Sequence, residues 1–333
     1  MIVPLRIHSL ETGTARVGLI LNPLGGKARK RHKLIKQLLA EIPGIHQWVV
    51  TNAADFDTSV KALIQAKIDW LIILGGDGTF QGILNRLYAW LPSEQWPVLT
   101  IIPGGTTNMT ALDLGIRGKP DHILRRLKHY LQQPAPRSAP VLVERPVLCI
   151  EQTGREKIYG MFFGLGLIAR GVKFSRSPIK QIGITGDIFT TLIVLRSLLG
   201  TFLGQPQPEW APVQITIEDE TGTRREERYL LVLVSALEQL LMGIRPYWGY
   251  ESAPLHVTFV RQHSKKFWCS ILPLITGRGH RLKKEDGYVS YNTQVLELSL
   301  DDEYIVDGEL FHASRQHGPL RISASGPITF LVL

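Results

Sequence analysis

The chain has 333 residues, of which 44% are hydrophobic and 20% charged, a composition typical of a globular protein with one large or two medium domains. Its two cysteines, Cys149 and Cys269, have no metal-ligand spacing and exclude a disulfide-rich secreted scaffold, so a reducing, cytoplasmic compartment is expected. The net charge of +9 favours partners that carry negative charge, namely nucleic acid, an anionic membrane or phosphorylated ligands.

Strands and helices alternate from residue 17 to about residue 131. Strands are predicted at Val17–Leu21, Trp48–Thr51, Trp70–Leu74 and Val98–Ile102. Helices are predicted between and after them, at Lys27–Ile42, Phe56–Lys67, Gln81–Leu91, Thr107–Leu114 and Asp121–Leu131. This alternation predicts an α/β domain with a parallel, doubly wound sheet.

Three of the predicted strands run directly into glycine-rich turns. These turns are 22–26 (Asn-Pro-Leu-Gly-Gly), 75–79 (Gly-Gly-Asp-Gly-Thr) and 103–108 (Pro-Gly-Gly-Thr-Thr-Asn). Glycine lets a phosphate approach backbone N–H groups, and the start of a following helix favours anions. The carboxyl ends of parallel strands share one edge of the sheet, so the turns are expected to converge there. The alternative for a single turn of this kind is a purely structural strand end, since glycine-rich strand ends are common.

The second half of the chain has a different pattern. Three prolines in residues 132–140 mark a boundary. Beyond it, short β segments predict a sandwich- or barrel-like domain. They lie at Val141–Glu144, Pro146–Glu151, Ile158–Phe163, Val213–Glu218, Arg228–Ser235, His256–Val260 and Val295–Leu300. A helix near 186–203 interrupts them. Its apolar segment Ile188–Leu203 is shorter than the roughly 20 residues of a membrane span and contains Arg196, so packing on the second domain is predicted.

The three turns, in this order, resemble the nucleotide-site motifs of the diacylglycerol kinase catalytic-domain family, which includes diacylglycerol, sphingosine and ceramide kinases and bacterial lipid kinases. A fourth segment, Val306-Asp-Gly-Glu-Leu310, resembles the Asp-Gly-Glu motif of that family. The resemblance implies an ATP- and Mg²⁺-dependent lipid kinase that phosphorylates a hydroxyl of diacylglycerol or a related lipid. It also implies that the chain returns to the α/β domain at its end. The expected domains are therefore 1–134 with 318–333 (nucleotide-binding) and 135–317 (β-rich, lipid substrate), with the active site in the cleft between them.

The resemblance also assigns roles to single residues. Glu309 corresponds to the proposed general base, Asp77 is the alternative, and Asp307 completes the catalytic set. On sequence alone, Asp307-Gly308 is a strong hairpin-turn signal. The Mg²⁺ ion that accompanies the nucleotide is expected to contact Asp77. The residues expected to contact ATP are Asn22, Thr51, Gly75, Gly76, Asp77, Gly78, Thr79, Gly105, Thr106 and Asn108. Asn22 is also expected to fix its own turn through a local side-chain to backbone bond.

Three positions depart from the family pattern. Gly82 stands where the family usually has an acid, Thr107 replaces a glycine, and Met109 replaces a second acid. They leave open a nucleotide- or lipid-binding homologue with impaired catalysis. The turn at 75–79 would also suit NAD kinases, so a soluble-acceptor kinase is a further alternative.

The second half also contains a candidate membrane contact. Seven cations between Arg261 and Lys284 flank the apolar, aromatic segment Phe267–Ile275. This arrangement is typical of peripheral contact with an anionic membrane, or of a buried strand or helix with a solvated basic rim. No nucleic-acid-binding motif is present, so nucleic acid is not an expected partner. A cytoplasmic protein peripheral to the membrane is predicted, and a homodimer is left open.

Overall fold

The computed structural model describes residues 2–136, 139–176, 212–218 and 224–333, which form two compact units. The first unit comprises Met1–Arg145, Leu240–Met242 and Gly326–Leu333. The second comprises Pro146–Gln239 and Gly243–Ser325. The predicted helix near 186–203, with its apolar segment Ile188–Leu203, lies outside the described residues.

The first unit is an α/β fold built on parallel strands. Its helices are α1 (Ile2–Glu11), α2 (Gly26–Lys30), α3 (His32–Ala40), α4 (Ala53–Gln65), α5 (Asp77–Trp90), α6 (Met109–Asp113) and α7 (Pro120–Gln132). Its strands are β1 (Val17–Leu21), β2 (Ile45–Val49), β3 (Trp70–Gly75) and β4 (Val98–Pro103), in the spatial order β2-β1-β3-β4 and all parallel. The predicted α/β fold class is confirmed.

The core of this unit lies in the middle of its sheet. Every residue of β1, β3 and β4 is buried, which is why these strands are continuous apolar runs rather than alternating ones. Two polar side chains of β3 and β4 are paired inside this core: the Trp70 indole N–H donates to Thr100 Oγ1 at 2.9 Å, and Thr100 Oγ1 donates to the Leu331 carbonyl at 2.7 Å. Phe330 pairs in parallel with Leu99, which adds the end of the chain to the sheet.

Several helices differ from their predicted bounds. The helix predicted over Lys27–Ile42 is broken at Arg31, where φ is −122° and the guanidinium contacts buried Asp121 at 2.8 Å. Helix α5 begins at Asp77 instead of Gln81, so three residues of the second glycine turn belong to its first turn. Helix α1 was not predicted, because its apolar residues follow no helical period.

The second unit is β-rich, as predicted. Its main sheet has the order β11-β10-β9-β7-β13-β14, with β8 paired to β9 and all pairs antiparallel. These strands are β7 (Phe162–Gly166), β8 (Val213–Glu218), β9 (Arg224–Ser235), β10 (Leu255–Arg261), β11 (Tyr288–Thr293), β13 (Asp302–Val306) and β14 (Glu309–Ala313). Its described residues include two α-helices, α8 (Leu167–Arg176) and α9 (Phe267–Ile275).

The remaining strands explain where the units divide. They are β5 (Val141–Glu151), β6 (Ile158–Gly160), β12 (Val295–Leu298) and β15 (Leu320–Val332). Strand β5 is continuous, although two strands were predicted on either side of Arg145. The first unit extends to Arg145, beyond the predicted residue 134, because the Arg145 guanidinium donates to buried Asp113 at 2.7 Å. It resumes at Gly326 instead of 318, because the start of β15 pairs with β12 in the second unit.

Within the described ranges, none of the helices combines the length and the apolar character that crossing a bilayer would require.

Candidate functional site

The three glycine turns of the first unit lie side by side at the carboxyl ends of β1, β3 and β4, as a parallel sheet predicts. They are hydrogen-bonded to one another. The N–H of Gly104 donates to the Gly75 carbonyl at 2.8 Å, and the N–H groups of Lys27 and Ala28 both donate to the Gly104 carbonyl at 2.9 Å. The turns therefore form one structure, here called the glycine-turn cluster, consisting of residues 22–26, 75–79 and 103–110.

Glycine is required in this cluster because the backbones approach too closely for a side chain. A Cβ atom on Gly105 would lie 2.4 Å from the Gly76 Cα, and one on Gly25 would lie 2.6 Å from the Gly104 carbonyl oxygen. Both distances are far inside van der Waals contact. The surface of the cluster is therefore made mainly of main chain, which is the kind of surface that holds phosphate.

Asp77 connects two of the turns through its carboxylate. The side chain is buried, with 6% of the residue exposed. It accepts hydrogen bonds from Thr107 Oγ1 at 2.9 Å, the Met109 N–H at 3.0 Å and the Thr110 N–H at 3.2 Å. Because a carboxylate offers about four acceptor positions, these donors leave little capacity for a further ligand. Asp77 thus holds the third turn against the start of α5.

Asn22 and Thr79 connect the first two turns. The Asn22 side-chain oxygen accepts the Leu24 N–H at 2.9 Å, which confirms the predicted local bond. Its amide nitrogen donates to Thr79 Oγ1, also at 2.9 Å. Thr79 is buried in α5, so its hydroxyl oxygen is engaged within the protein.

Asn108 closes the third turn on itself. It has a left-handed backbone with φ of 54°, and its amide both accepts from the Gly105 N–H at 2.8 Å and donates to the Gly105 carbonyl at 2.9 Å. By contrast, Thr106 and Gly78 are exposed. Among the residues predicted to contact nucleotide, these two lie on the outer surface of the cluster.

Thr51 lies at the same edge, one strand further along. The Val50 N–H donates to the Leu21 carbonyl at 2.9 Å, which places Thr51 beside the first turn. Its hydroxyl and its N–H both donate to Asp55 at 2.7 Å. The hydrogen bond from the Thr51 hydroxyl is the largest of the causes that lower the pKa of Asp55 below its usual value. Asp55 was not singled out from the sequence, although Asn52-x-x-Asp55 is a recognisable capping-box pattern.

The three departures from the family pattern are accommodated by the structure. The Thr107 hydroxyl donates to Asp77, a bond that a glycine at this position could not make. At Met109 the donor is the main-chain N–H, so that bond does not depend on the methionine side chain. At Gly82, a Cβ atom would lie 3.1 Å from the Phe56 ring. The Arg86 guanidinium lies 5.2 Å from the centre of that ring, so the space beside Gly82 is already filled.

In the second unit, Asp307 and Gly308 form the turn of the hairpin β13–β14. Their φ angles of 49° and 89° are both positive, as a type I′ turn requires. The Asp307 carboxylate is buried and accepts the N–H groups of Met161 and Phe162, both at 3.0 Å. Glu309 is exposed at the start of β14. The turn predicted from Asp-Gly is confirmed, and the glutamate that follows it is accessible.

Among the described residues, no group of three or more His, Cys, Asp or Glu side chains is arranged to hold a metal ion. The hydrogen-bond partners of the Asp77 carboxylate are one hydroxyl and two main-chain N–H groups.

Comparison with known proteins finds a family match within the first unit. Residues 16–136 match the model of the family described as the diacylglycerol kinase catalytic domain. The "probable lipid kinase YegS-like" protein of Serratia proteamaculans is 33% identical over 107 residues, which cover 32% of this chain and 35% of that protein. The diacylglycerol kinase of Bacillus subtilis is 31% identical over 109 residues, 30% of this chain and 33% of that protein. The matches thus span about a third of the length of these relatives.

Solved structures extend the similarity of fold over nearly the whole chain. A protein of Bacillus anthracis str. Sterne described provisionally as a diacylglycerol kinase aligns with a TM-score of 0.60, 22% identity and coverage of 93% of this chain and 92% of that one. A structure described as a diacylglycerol kinase of the same organism aligns with a TM-score of 0.56 and 20% identity, covering 96% and 97%. At this identity the likeness establishes the fold.

Proposed function

Because residues 16–136 belong to the diacylglycerol kinase catalytic-domain family, we propose that the protein is an ATP-dependent lipid kinase that phosphorylates a hydroxyl of diacylglycerol or a related lipid. One observation carries the proposal. Three glycine turns at the carboxyl edge of a parallel sheet are hydrogen-bonded into a single surface of main chain, beside the start of the 14-residue helix α5.

This surface suits the phosphates of ATP. Phosphoryl transfer requires that the phosphates be held in line with the acceptor and that their charge be neutralised. The partial positive charge at the start of α5 and the backbone of the turns supply fixed dipoles for this purpose. Mg²⁺ bound to the nucleotide would supply the remaining charge. In this proposal Asp77 is a positioning residue, which keeps the third turn in place through its three hydrogen bonds.

The two candidate bases differ in accessibility. Asp77 is buried and its oxygens accept three internal donors, whereas Glu309 is exposed. We therefore assign the general-base role to Glu309. The Glu309 carboxylate would take the proton of the lipid hydroxyl as the oxygen attacks the γ-phosphorus, and the bond to the β-phosphate oxygen would break to release ADP. Asp307 fixes the turn that presents Glu309.

The direct test is transfer from γ-labelled ATP with Mg²⁺ to a panel of lipids in mixed micelles: diacylglycerol, monoacylglycerol, a sphingoid base and ceramide. We expect labelled product with at least one of them. Glu309→Gln should lower the rate by a factor of about 10² to 10⁴, the usual contribution of general-base catalysis, while ATP affinity stays the same. Glu156→Gln, which alters another exposed glutamate of the second unit, is the matched control and should leave the rate unchanged.

Two outcomes would replace this proposal. ATP binding without transfer to any lipid would indicate the impaired homologue, for which the packing of Phe56 against Gly82 is the relevant departure. Transfer to NAD in place of lipid would indicate a soluble-acceptor kinase.

A further inference from the structure

We propose that helix α9 and the cations around it form a docking surface for an anionic lipid bilayer. This surface, called the α9 surface below, consists of the outward side chains of α9 and six exposed cations, Lys265, Lys266, Arg278, Arg281, Lys283 and Lys284. All of these residues belong to the second unit. The inference rests on the proposed function and deepens it, because the bilayer would supply the lipid that the kinase phosphorylates.

The outward side of α9 is apolar. Trp268 is 37% exposed and Leu272 is 66% exposed, and Cys269 between them is also exposed. Residues four apart lie on the same side of a helix, so Trp268 and Leu272 form one stripe. A helix that faces water normally has polar residues on this side.

The opposite side of α9 already anchors the helix to the protein. Phe267 and Leu274, seven residues apart, pack against the buried cluster of Leu230, Val260 and Tyr288. The Tyr288 hydroxyl also donates to the Lys265 carbonyl at 3.0 Å. Folding is therefore served by the inner side, and the outer side can contact a partner without loss of the core.

The charge around the helix matches an anionic surface. The segment from residue 265 to residue 286 contains these six cations and only two carboxylates, Glu285 and Asp286. The contact from Lys265 to Asp286 is 3.6 Å long and solvent-exposed, so it competes weakly with other anions. Basic residues that flank an apolar stripe are the features of helices that lie in the headgroup region of a membrane, with the stripe among the first acyl carbons.

The aliphatic part of the stripe favours a bilayer over nucleic acid. Nucleic acid would use the cations and could stack a base on Trp268, but it would leave Leu272 without an apolar partner. Acyl chains cover both side chains, and anionic headgroups pair with the cations.

The chain contains its own probe of insertion. Cys269 is exposed on the outer side of α9, whereas Cys149 is buried. Burial, with the nearby charge of Glu151, raises the pKa of the Cys149 thiol and keeps it unreactive. An environment-sensitive fluorophore can therefore be attached at Cys269 in the otherwise unaltered chain of 333 residues. We expect a blue shift with vesicles of phosphatidylglycerol and phosphatidylcholine, and little change with phosphatidylcholine alone. An unchanged spectrum with anionic vesicles that sediment the protein would refute insertion at α9.

Two variants and two matched controls test the surface by sedimentation with the same vesicles. Replacing Lys265, Lys266, Lys283 and Lys284 by Ser should weaken binding at least about tenfold, and binding of the parent should weaken as salt rises. The control replaces four exposed lysines of the first unit, Lys30, Lys33, Lys36 and Lys119, and removes the same net charge. Trp268→Ser with Leu272→Ser should also weaken binding, whereas Tyr250→Ser, at an 86% exposed site of the same unit, should not.

The outcomes separate this inference from the kinase. Equal vesicle binding by the lysine variant and the parent would overturn the proposal. It would also be overturned if the parent self-associates and Trp268→Ser abolishes this self-association, or if the protein binds RNA in preference to vesicles. Activity on a short-chain, water-soluble diacylglycerol should be the same in parent and variants, because no membrane is involved. Vesicle binding through α9 without phosphorylation of any lipid would instead retain the surface and reject the proposed function.

Discussion

The glycine-turn cluster of the first unit and helix α9 of the second are opposite in what they bury. The cluster buries a carboxylate, Asp77, and satisfies it with three donors. Helix α9 exposes an apolar stripe whose Leu272 is 66% accessible. Burying charge is costly unless it is paired, and exposing apolar area forgoes the stabilisation from its burial. Each region departs from the usual pattern, the first to fix a main-chain surface and the second to leave an apolar one available.

The same contrast divides the residues of the predicted catalytic set. Asp77 and Asp307 are both buried and accept backbone N–H groups, so both build the local structure. Glu309 is exposed at the end of the turn that Asp307 fixes. This division predicts that changes at the aspartates will affect stability and, if the proposed function holds, that changes at the glutamate will affect catalysis.

The largest effect on stability is expected at Asp77. Asp77→Ala leaves the Met109 and Thr110 N–H groups and the Thr107 hydroxyl without their acceptor, which should lower the free energy of unfolding by about 3 to 4 kcal/mol. ATP affinity should fall with it, because the third turn is released. Urea denaturation and titration calorimetry measure the two effects. Asp57→Ala is the control: its half-exposed carboxylate pairs with Arg86, and its loss should cost at most about 1 kcal/mol. Equal destabilisation by the two variants would contradict the structural role of Asp77.

A somewhat smaller difference is expected within the Asp-Gly-Glu motif. Asp307→Ala leaves the N–H groups of Met161 and Phe162 without the carboxylate and should cost about 2 to 3 kcal/mol of unfolding free energy. Glu309→Ala should change it by less than about 0.5 kcal/mol, as surface substitutions usually do. Thermal or urea unfolding of the two variants gives the comparison directly. A marked loss of stability in Glu309→Ala would mean that its role is structural as well.

Close backbone contact in the glycine-turn cluster can be tested at one position. Gly105→Ala places a methyl group 2.4 Å from the Gly76 Cα, so the turns must separate, at a cost of about 1 to 2 kcal/mol. Gly326→Ala is the matched control, because no atom lies within 4 Å of its added Cβ. Unfolding free energies and ATP affinities of both variants should be compared. Wild-type affinity in Gly105→Ala would show that the approach of these turns does not shape the proposed nucleotide site.

The smallest expected effect is a change in the pKa of Asp55. The Thr51 hydroxyl is the main cause that lowers the pKa of Asp55, so Thr51→Val should raise that pKa toward the usual value. Because the pKa in the folded protein lies below that in the unfolded chain, the stabilisation from this contact is present above about pH 4 and is lost as the pH falls through the folded value. An NMR titration of the Asp55 carboxyl carbon measures the shift. An unchanged pKa would remove Thr51 as its cause.

The sequence determined the parallel sheet, the positions of the glycine turns and their order. Buried parallel strands are continuous apolar runs, and turns need glycine locally, so both features can be read within a few residues. It also indicated the hairpin at Asp307-Gly308, for which the left-handed backbone is a local requirement.

Tertiary structure alone decided what each of these residues contacts. The partners of Asp77 lie 30 to 33 residues along the chain, and Gly105 meets Gly76 only because β3 and β4 are neighbours. The exposure of α9 likewise depended on which of its sides the cluster around Tyr288 would cover. An apolar helix has the same local pattern whether it is buried on one side or both, because burial is a property of the elements packed around it and not of its own residues.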